Sequence, residues 1–121
     1  MEHNSVLRPL KSLEQQGIGT TVVYGDAEGK INAQAVRSAI RPETAMIICT
    51  HASNVTGTIL PVEDIGAIAQ KHRLTYLVDA SQSAGALRVN ADELQADMIA
   101  MPGHKGLLGP LGTGILYIRP G

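Results

Sequence analysis

Apolar residues recur along the chain with two alternating periods, one typical of strands and the other of helices. Short runs of β-branched and other apolar residues predict five strands, over residues 20–24, 45–49, 74–78, 98–101 and 114–118. In other stretches an apolar residue returns every three or four positions, which predicts helices with one apolar face. The alternation of the two periods therefore indicates strands that are connected by helices.

Three amphipathic helices are predicted before and between these strands. Asn4 or Ser5 can cap the first helix, and Gly17 can end it. Asn32 can cap the second helix, and Pro61 opens the third. The predicted buried faces are Val6, Leu7, Leu10 and Leu13 in the first helix, Ala35, Val36, Ala39 and Ile40 in the second, and Ile65, Ile68 and Ala69 in the third.

This order of elements predicts an α/β fold, with a mostly parallel sheet and helices on both of its faces. A chain of 121 residues is long enough for one compact domain. Right-handed crossovers place the carboxyl ends of all parallel strands at one edge of such a sheet. Ligands of α/β proteins bind at that edge, so the residues that follow the strands are the first candidates for a site.

Polar residues collect after three successive predicted strands. They are Ser53, Asn54 and Thr56 after the second strand, Asp79 and Gln82 after the third, and His104 and Lys105 after the fourth. Asp79 is followed by several small residues, which leave room for a planar ligand close to the backbone. Lys105 lies in a loop punctuated by Gly and Pro. We therefore expect a ligand site at this edge of the sheet.

The pair of Asp79 and Lys105 has the chemistry that pyridoxal phosphate (PLP) requires of a protein. A lysine amine condenses with the cofactor aldehyde to form a Schiff base. A carboxylate beside the pyridine nitrogen keeps that nitrogen protonated, so that the ring draws electrons from the substrate α-carbon. Each residue also has a simpler interpretation, Asp79 as a turn cap and Lys105 as a solvated loop residue.

Four segments resemble the class V aminotransferase family: EHNSV at residues 2–6, HASNVTGT at 51–58, VDASQSA at 78–84, and GHKGLLGPLG at 103–112. The likeness is strongest to the cysteine desulfurase and selenocysteine lyase branch, and it runs through nearly the whole chain in the same order. The resemblance implies a PLP-dependent enzyme of fold type I. Residues 1–121 would then be a single, partial domain, the central PLP-binding part of a three-layer α/β/α large domain.

The resemblance also implies a role for each of six residues. Lys105 would carry PLP as the Schiff base, and Asp79 would bind the ring nitrogen. His3 would stack on the ring face and, with Lys105, take part in catalysis. The other cofactor contacts would be to the ring oxygen, from Asn54 and Gln82, and to the phosphate, from His104. The alternative for each of the six is an ordinary polar residue that forms a turn or a cap.

The reaction that the resemblance implies is the removal of sulfur from L-cysteine, which gives alanine and an enzyme-bound persulfide. The implied partners are an amino-acid substrate, a second copy of the chain in a homodimer, and a sulfur-acceptor protein. The alternatives are the reaction of another class V aminotransferase or lyase, and an α/β domain without catalytic activity.

The chain departs from the family pattern at Pro102 and in its length. Family members often carry a phosphate-binding serine three residues before the lysine, where Pro102 offers neither a hydroxyl nor an N–H group. They are also considerably longer, and the phosphate-binding loop, nucleophilic cysteine and carboxylate-binding arginine of those enzymes have no counterpart in this chain. Cys49, the only cysteine, falls in a predicted buried strand, so we expect a core residue rather than a nucleophile.

Composition excludes several other classes of function. Ten basic and eleven acidic residues without a run of like charge suggest neither a nucleic-acid partner nor a membrane surface. Aromatic residues make up only 2% of the chain, which disfavours a stacking platform for single strands. The chain has no signal-peptide pattern at residues 1–4, no apolar run of membrane length and a single cysteine, so we expect a cytoplasmic protein.

Neither of the two common nucleotide-binding motifs fits the glycine-rich segments. Lys105 follows a histidine and precedes a glycine, which is not the order of a phosphate-binding loop. No G-x-G-x-x-G pattern follows the first predicted strand. The four histidines are scattered without the spacing of metal ligands, so we expect no metal site.

Overall fold

The computed structural model describes residues 1–121 as three helices and one four-stranded sheet. The elements are α1 (Asn4–Glu14), α2 (Ala33–Ser38), β1 (Met46–Thr50), α3 (Val62–His72), β2 (Thr75–Asp79), β3 (Met98–Pro102) and β4 (Gly114–Ile118). The strands lie side by side in chain order; β1, β2 and β3 are parallel, and β4 runs antiparallel to β3. The predicted α/β fold with a mostly parallel sheet is confirmed.

The core lies between α3 and one face of the sheet. Tyr76 and Val78 of β2 are fully buried there, and Ile65 of α3 is 1% exposed. The Tyr76 hydroxyl donates a hydrogen bond of 3.0 Å to the carbonyl oxygen of Val62, so the one large polar group in this core is satisfied. Burying a side chain the size of Ile65 contributes about 2 kcal/mol. It belongs to α3, the only helix of this chain that packs on the strands.

The third helix forms where the sequence predicted it, after Pro61. Glu63 and Asp64 occupy its first turn, where the partial positive charge of the helix N-terminus favours carboxylates. The helix ends at Arg73, which adopts a left-handed conformation (φ 56°) and donates its N–H to the carbonyls of Ala69 and Gln70.

The predicted strand over residues 20–24 is wrong. This segment makes no backbone hydrogen bond, and no strand lies beside it. Val22 and Tyr24 are 50% and 85% exposed. A run of β-branched residues fits a pleated surface, but it becomes a strand only when a neighbouring strand satisfies its N–H and C=O groups.

The predicted start of the first helix is also wrong by one residue. His3 is the cap of α1, and its Nδ1 accepts a hydrogen bond of 3.1 Å from the Ser5 N–H. An imidazole nitrogen accepts this bond as a serine or asparagine oxygen would, and the sequence pattern did not distinguish them. No residue of α1 or α2 is fully buried, although the predicted apolar faces of both helices are partly covered.

The sequence predicted helices on both faces of the sheet, but the helices of this chain pack on one face only. α3 packs on the sheet and α2 packs on α3, whereas α1 packs against no other helix or strand. Leu116 and Ile118 of β4 are 56% and 58% exposed on the other face. None of the three helices has the length and apolar content that crossing a bilayer requires.

Candidate active site

Three parallel strands end at the same edge of the sheet and bring the predicted polar segments together there. Thr50 of β1 is in register with Asp79 of β2, which in turn is in register with Ala100 of β3. The three segments that follow these strands carry Asn54, Gln82 and Lys105. The edge that the sequence predicted is therefore the edge at which these loops meet.

Asp79 is held firmly while one of its carboxylate oxygens stays free. The residue is 5% exposed, and its Oδ1 accepts a hydrogen bond of 2.9 Å from the Ser81 N–H. Its carbonyl oxygen accepts another bond of 2.9 Å, from the N–H of His51. The Oδ2 atom accepts no hydrogen bond from any group in the chain. Asp79 thus caps the next turn through Oδ1 and can offer a negative charge to a ligand through Oδ2.

The loop after β2 and the lysine-bearing loop after β3 touch through their backbones. A Cβ atom on Gly85 would collide with the carbonyl group of Gly106, and one on Gly106 would collide with the carbonyl oxygen of Ala84. Gly85 also has a φ of 85°, which side-chain-bearing residues rarely adopt. Two glycines thus allow the segment that starts at Asp79 to lie against the loop that carries Lys105.

The lysine-bearing loop, residues 103–113, is closed by its own backbone hydrogen bonds. Gly103 donates to the carbonyl of Thr113 at 2.9 Å, Gly109 donates to Gly103 at 2.6 Å, and Leu108 donates to Lys105 at 2.9 Å. The side chains of His104 and Lys105 are exposed, and neither forms a hydrogen bond or an ion pair within the chain. The loop therefore fixes the backbone of Lys105 while its amine remains available.

The other three predicted residues lie on exposed surface around this edge. Asn54 is in the turn after β1, where the Ser53 hydroxyl accepts hydrogen bonds from the two N–H groups after Asn54. Gln82 follows the Asp79 turn, and His3 caps α1. None of the six predicted residues forms a hydrogen bond with another. They lie at the same edge because the strands end there and because the loops after β2 and β3 touch each other.

Two residues of this edge were not predicted to have a role. Glu2 accepts a hydrogen bond of 2.7 Å at Oε1 from the Thr50 N–H, and burial raises the pKa of its carboxyl group. His51 is buried, and its Nδ1 has no hydrogen-bond partner. Burial lowers the pKa of the imidazole, and the negative charge of Glu63 raises it by a smaller amount. The position of His51 directly after a strand could have marked it as a candidate site residue. Nothing local in the sequence indicates that the side chain of Glu2 reaches β1.

Cys49 is a core residue, as its position in a strand predicted. It is 4% exposed, and its Sγ donates a hydrogen bond of 3.3 Å to the carbonyl of Thr50. Burial, with a smaller contribution from the nearby Glu2, raises the pKa of the thiol to about 12. A nucleophilic cysteine needs the opposite environment, one that lowers its pKa and exposes its sulfur.

Known proteins resemble this chain along its whole length. The model of the aminotransferase class-V family matches residues 1–121. A probable cysteine desulfurase from Methanothermobacter thermautotrophicus is 41% identical over 117 residues, which cover 97% of this chain and 29% of that relative. Among solved structures, SspA in complex with cysteine has a TM-score of 0.94 and 41% identity over 98% of this chain and 34% of that one.

A second solved structure agrees with the first. The apo cysteine desulfurase from Thermococcus onnurineus NA1 has a TM-score of 0.92 and 39% identity, over 98% of this chain and 30% of that one. This chain thus spans about a third of the length of the proteins it matches. The similarity to both structures covers 98% of this chain, so it includes the sheet with its three parallel strand ends. The chain belongs to the class-V aminotransferase family, whose enzymes depend on PLP.

Proposed function

We propose that this chain is the cofactor-holding part of a PLP-dependent cysteine desulfurase, with residues 1–121 as the central part of its large domain. The observation that carries the proposal is the contact between the loop after Asp79 and the loop that holds Lys105. That contact joins a buried carboxylate with a free oxygen to a lysine amine that has no ion-pair partner. The relatives named cysteine desulfurase support the choice of reaction.

The residues at this edge fit PLP by their chemistry. Asp79 offers Oδ2 as an anionic partner for a protonated ring nitrogen, and the small residues after it leave space for a flat ring. Lys105 offers an amine for covalent attachment of the aldehyde carbon. The remaining partners would be His3 on the ring face, Asn54 and Gln82 at the ring oxygen, and His104 at the phosphate.

Bound PLP supplies an electron sink for charge that develops at the α-carbon of an amino acid. Asp79 favours this by holding the proton on the ring nitrogen, because a buried carboxylate stabilises a positive charge beside it. Lys105 would hold the cofactor through its amine, and its Nζ would be the group placed to accept a proton from the substrate α-carbon. The closed backbone of residues 103–113 keeps that amine in place.

Pro102 removes one donor for the phosphate, and the neighbouring amide does not replace it. The Gly103 N–H already donates to the carbonyl of Thr113. The N–H groups of His104 and Lys105 donate to no acceptor in the chain. We infer that these two amides, with the His104 side chain, bind the phosphate in place of the serine hydroxyl. Pro102 also keeps open a second candidate function, that of a related class V aminotransferase or lyase.

The substrate class that we propose is an amino acid, L-cysteine in the first instance. A structure of SspA in this family contains cysteine, which supports that choice. We also propose that the complete enzyme is a homodimer and passes sulfur to an acceptor protein. The sulfur-carrying thiol would have to come from outside residues 1–121, because Cys49 is their only cysteine and is buried.

The site assignment can be tested by reducing the PLP-treated chain with borohydride and mapping its peptides. We expect the pyridoxyl label on Lys105, and we expect Lys105→Ala to abolish it while Lys30→Ala leaves it unchanged. Label on Lys30 or Lys71 instead would contradict the assignment. Sulfide and alanine formation from L-cysteine by the full-length protein then separates a desulfurase from another class V reaction.

A further inference from the structure

One partly buried acidic side chain at the candidate site has no role in the proposed chemistry. Glu2 lies directly before His3, and its Oε1 accepts the Thr50 N–H at 2.7 Å. Its Oε2 is buried and makes no hydrogen bond. Removing a carboxylate oxygen from water costs free energy unless hydrogen bonds of the protein replace the lost hydration. The bond to Thr50 is thus the one polar contact that fixes the side chain.

The bond reaches a strand end that is already tied to Asp79. The hydroxyl of Thr50 donates to the carbonyl of Ala52 at 3.1 Å and approaches the carbonyl of Asp79 at 3.5 Å. The next residue, His51, donates its N–H to the same Asp79 carbonyl. Glu2 therefore connects the N-terminal segment to the pair of strand ends from which Asp79 projects.

This link matters because little else holds His3 in place. α1 packs against no other helix or strand, and His3 is exposed. The imidazole Nδ1 is oriented by the first turn of α1, to which Ser5 contributes both its N–H and its hydroxyl. The cap sets the rotation of the ring relative to α1, whereas the two residues before His3 connect that turn to the rest of the chain, Glu2 through its bond to Thr50 and Met1 through packing against the core.

We propose that Glu2 is a positioning residue that holds His3 near the end of β1, the strand next to the one that carries Asp79, by binding the Thr50 amide. The anchoring itself is independent of any cofactor, while its value for PLP binding rests on the function proposed above. The Oε1 atom of Glu2 reaches the amide at 2.7 Å, whereas its buried Oε2 has no partner, so the bond to Thr50 offsets only part of the cost of burying this carboxyl group. The raised pKa of Glu2 agrees with this burial.

The anchoring can be tested without the cofactor, by NMR of the unloaded chain. We expect Glu2→Ala to speed amide exchange at Thr50 by about tenfold, the scale of one lost hydrogen bond to a charged group. The imidazole signals of His3 should shift in the same variant. Glu2→Gln keeps an acceptor oxygen and should restore both. Glu43→Ala, at an exposed carboxylate away from this edge, is the control and should change neither.

The same experiment has to distinguish a role of Glu2 in positioning His3 from a role in the stability of the whole fold. Exchange at the Val78 amide in the central strand reports the core, and we expect it to stay slow in every variant. Faster exchange at Thr50 with unchanged His3 signals would overturn the proposal, because Glu2 would then only satisfy an edge amide. Collapse of both glutamate variants, with Val78 exchanging freely, would overturn it too, since Glu2 would be a general stability residue.

A second measurement concerns the loaded protein. We expect Glu2→Ala and His3→Ala to change the induced circular dichroism of bound PLP in the same direction, and the double variant to show no further change, because both act through one ring. Additive changes would contradict action through His3. Absence of the pyridoxyl label on Lys105 would refute the proposed function. The anchoring of His3 is tested separately, by the amide-exchange and imidazole measurements on the chain without cofactor.

Discussion

The carbonyl group of Gly106 lies where a Cβ atom on Gly85 would be, and the carbonyl oxygen of Ala84, the residue before Gly85, likewise leaves no room for a Cβ atom on Gly106. The two glycines belong to different loops, one after the buried Asp79 and one around Lys105. Their contact is made by backbone alone, so it does not depend on the charge or length of any side chain. It is the direct connection between the two loops that hold the candidate cofactor residues.

Replacing Gly85 by Ala should destabilise the chain and separate these loops. The left-handed backbone costs a non-glycine residue about 1 kcal/mol, and the collision with the Gly106 carbonyl adds to it. Gly112→Ala is a matched control, because its φ of 81° is nearly the same and its Cβ would meet nothing. Chemical denaturation should therefore give a larger loss for Gly85→Ala. Equal losses in the two variants would mean that the loop contact carries no energy.

Replacing Asp79 by Asn should weaken catalysis without removing the turn. The asparagine oxygen can still accept the Ser81 N–H, but the negative charge beside the ring nitrogen is lost. We expect α-proton exchange of the substrate in the PLP-loaded, full-length protein to slow by about a hundredfold or more, the scale for a lost preorganised charge. Asp26→Asn, which also alters a turn-capping carboxylate, is the control. Unchanged exchange would leave Asp79 as a turn residue only.

The thiol of Cys49 should be unreactive in the folded chain. Its pKa of about 12 leaves very little thiolate at pH 8, so reaction with a disulfide reagent should be about a thousandfold slower than for a free cysteine, even before burial is considered. The same reagent should react at once in denaturant. Fast labelling of the native chain would show that β1 opens readily.

The position of Cys49 also bears on sulfur transfer. We expect the chain, incubated with PLP and cysteine, to release no sulfide beyond a Lys105→Ala control. Sustained turnover that Cys49→Ser abolishes would contradict both the buried strand and the proposed division of roles.

His51 should make the chain less stable as the pH falls. Burial lowers its pKa below the ordinary value of 6.5, so the folded state favours the neutral imidazole. The stabilisation is complete above about pH 6.5 and is lost as the pH falls through the lower, folded-state pKa.

This pH dependence can be measured as the difference between the free energies of unfolding at pH 8 and pH 5.5. We expect His51→Gln to reduce that difference, and we expect His72→Gln, at an exposed position in the last turn of α3, to preserve it. Glu2, whose pKa is raised, contributes in the opposite direction, but it does so equally in all three chains. An undiminished difference in His51→Gln would contradict a neutral, buried His51.

The sequence by itself determined four of the five predicted strands, the presence of all three helices, including the Asn32 cap of the second, and the edge at which polar residues gather. These features are local: apolar runs, the turn at Pro61 and the polar residues after each strand can be recognised without knowing which distant residues they contact. The residue types at Asp79 and Lys105 likewise led to the proposed PLP chemistry, because PLP places specific demands on a carboxylate and an amine. Cys49 was recognised as a core residue for the same local reason.

Only the tertiary structure decided what depends on a neighbour distant in the chain. Residues 20–24 have strand composition but no strand beside them, so they form none. The carboxylate of Glu2 reaches Thr50, 48 positions away. Gly85 packs against Gly106 through backbone atoms, and the sequence contains no side-chain pattern that predicts this contact. Periodicity in sequence reports which face of an element is apolar, whereas hydrogen-bond partners and backbone contacts are set by how the elements pack.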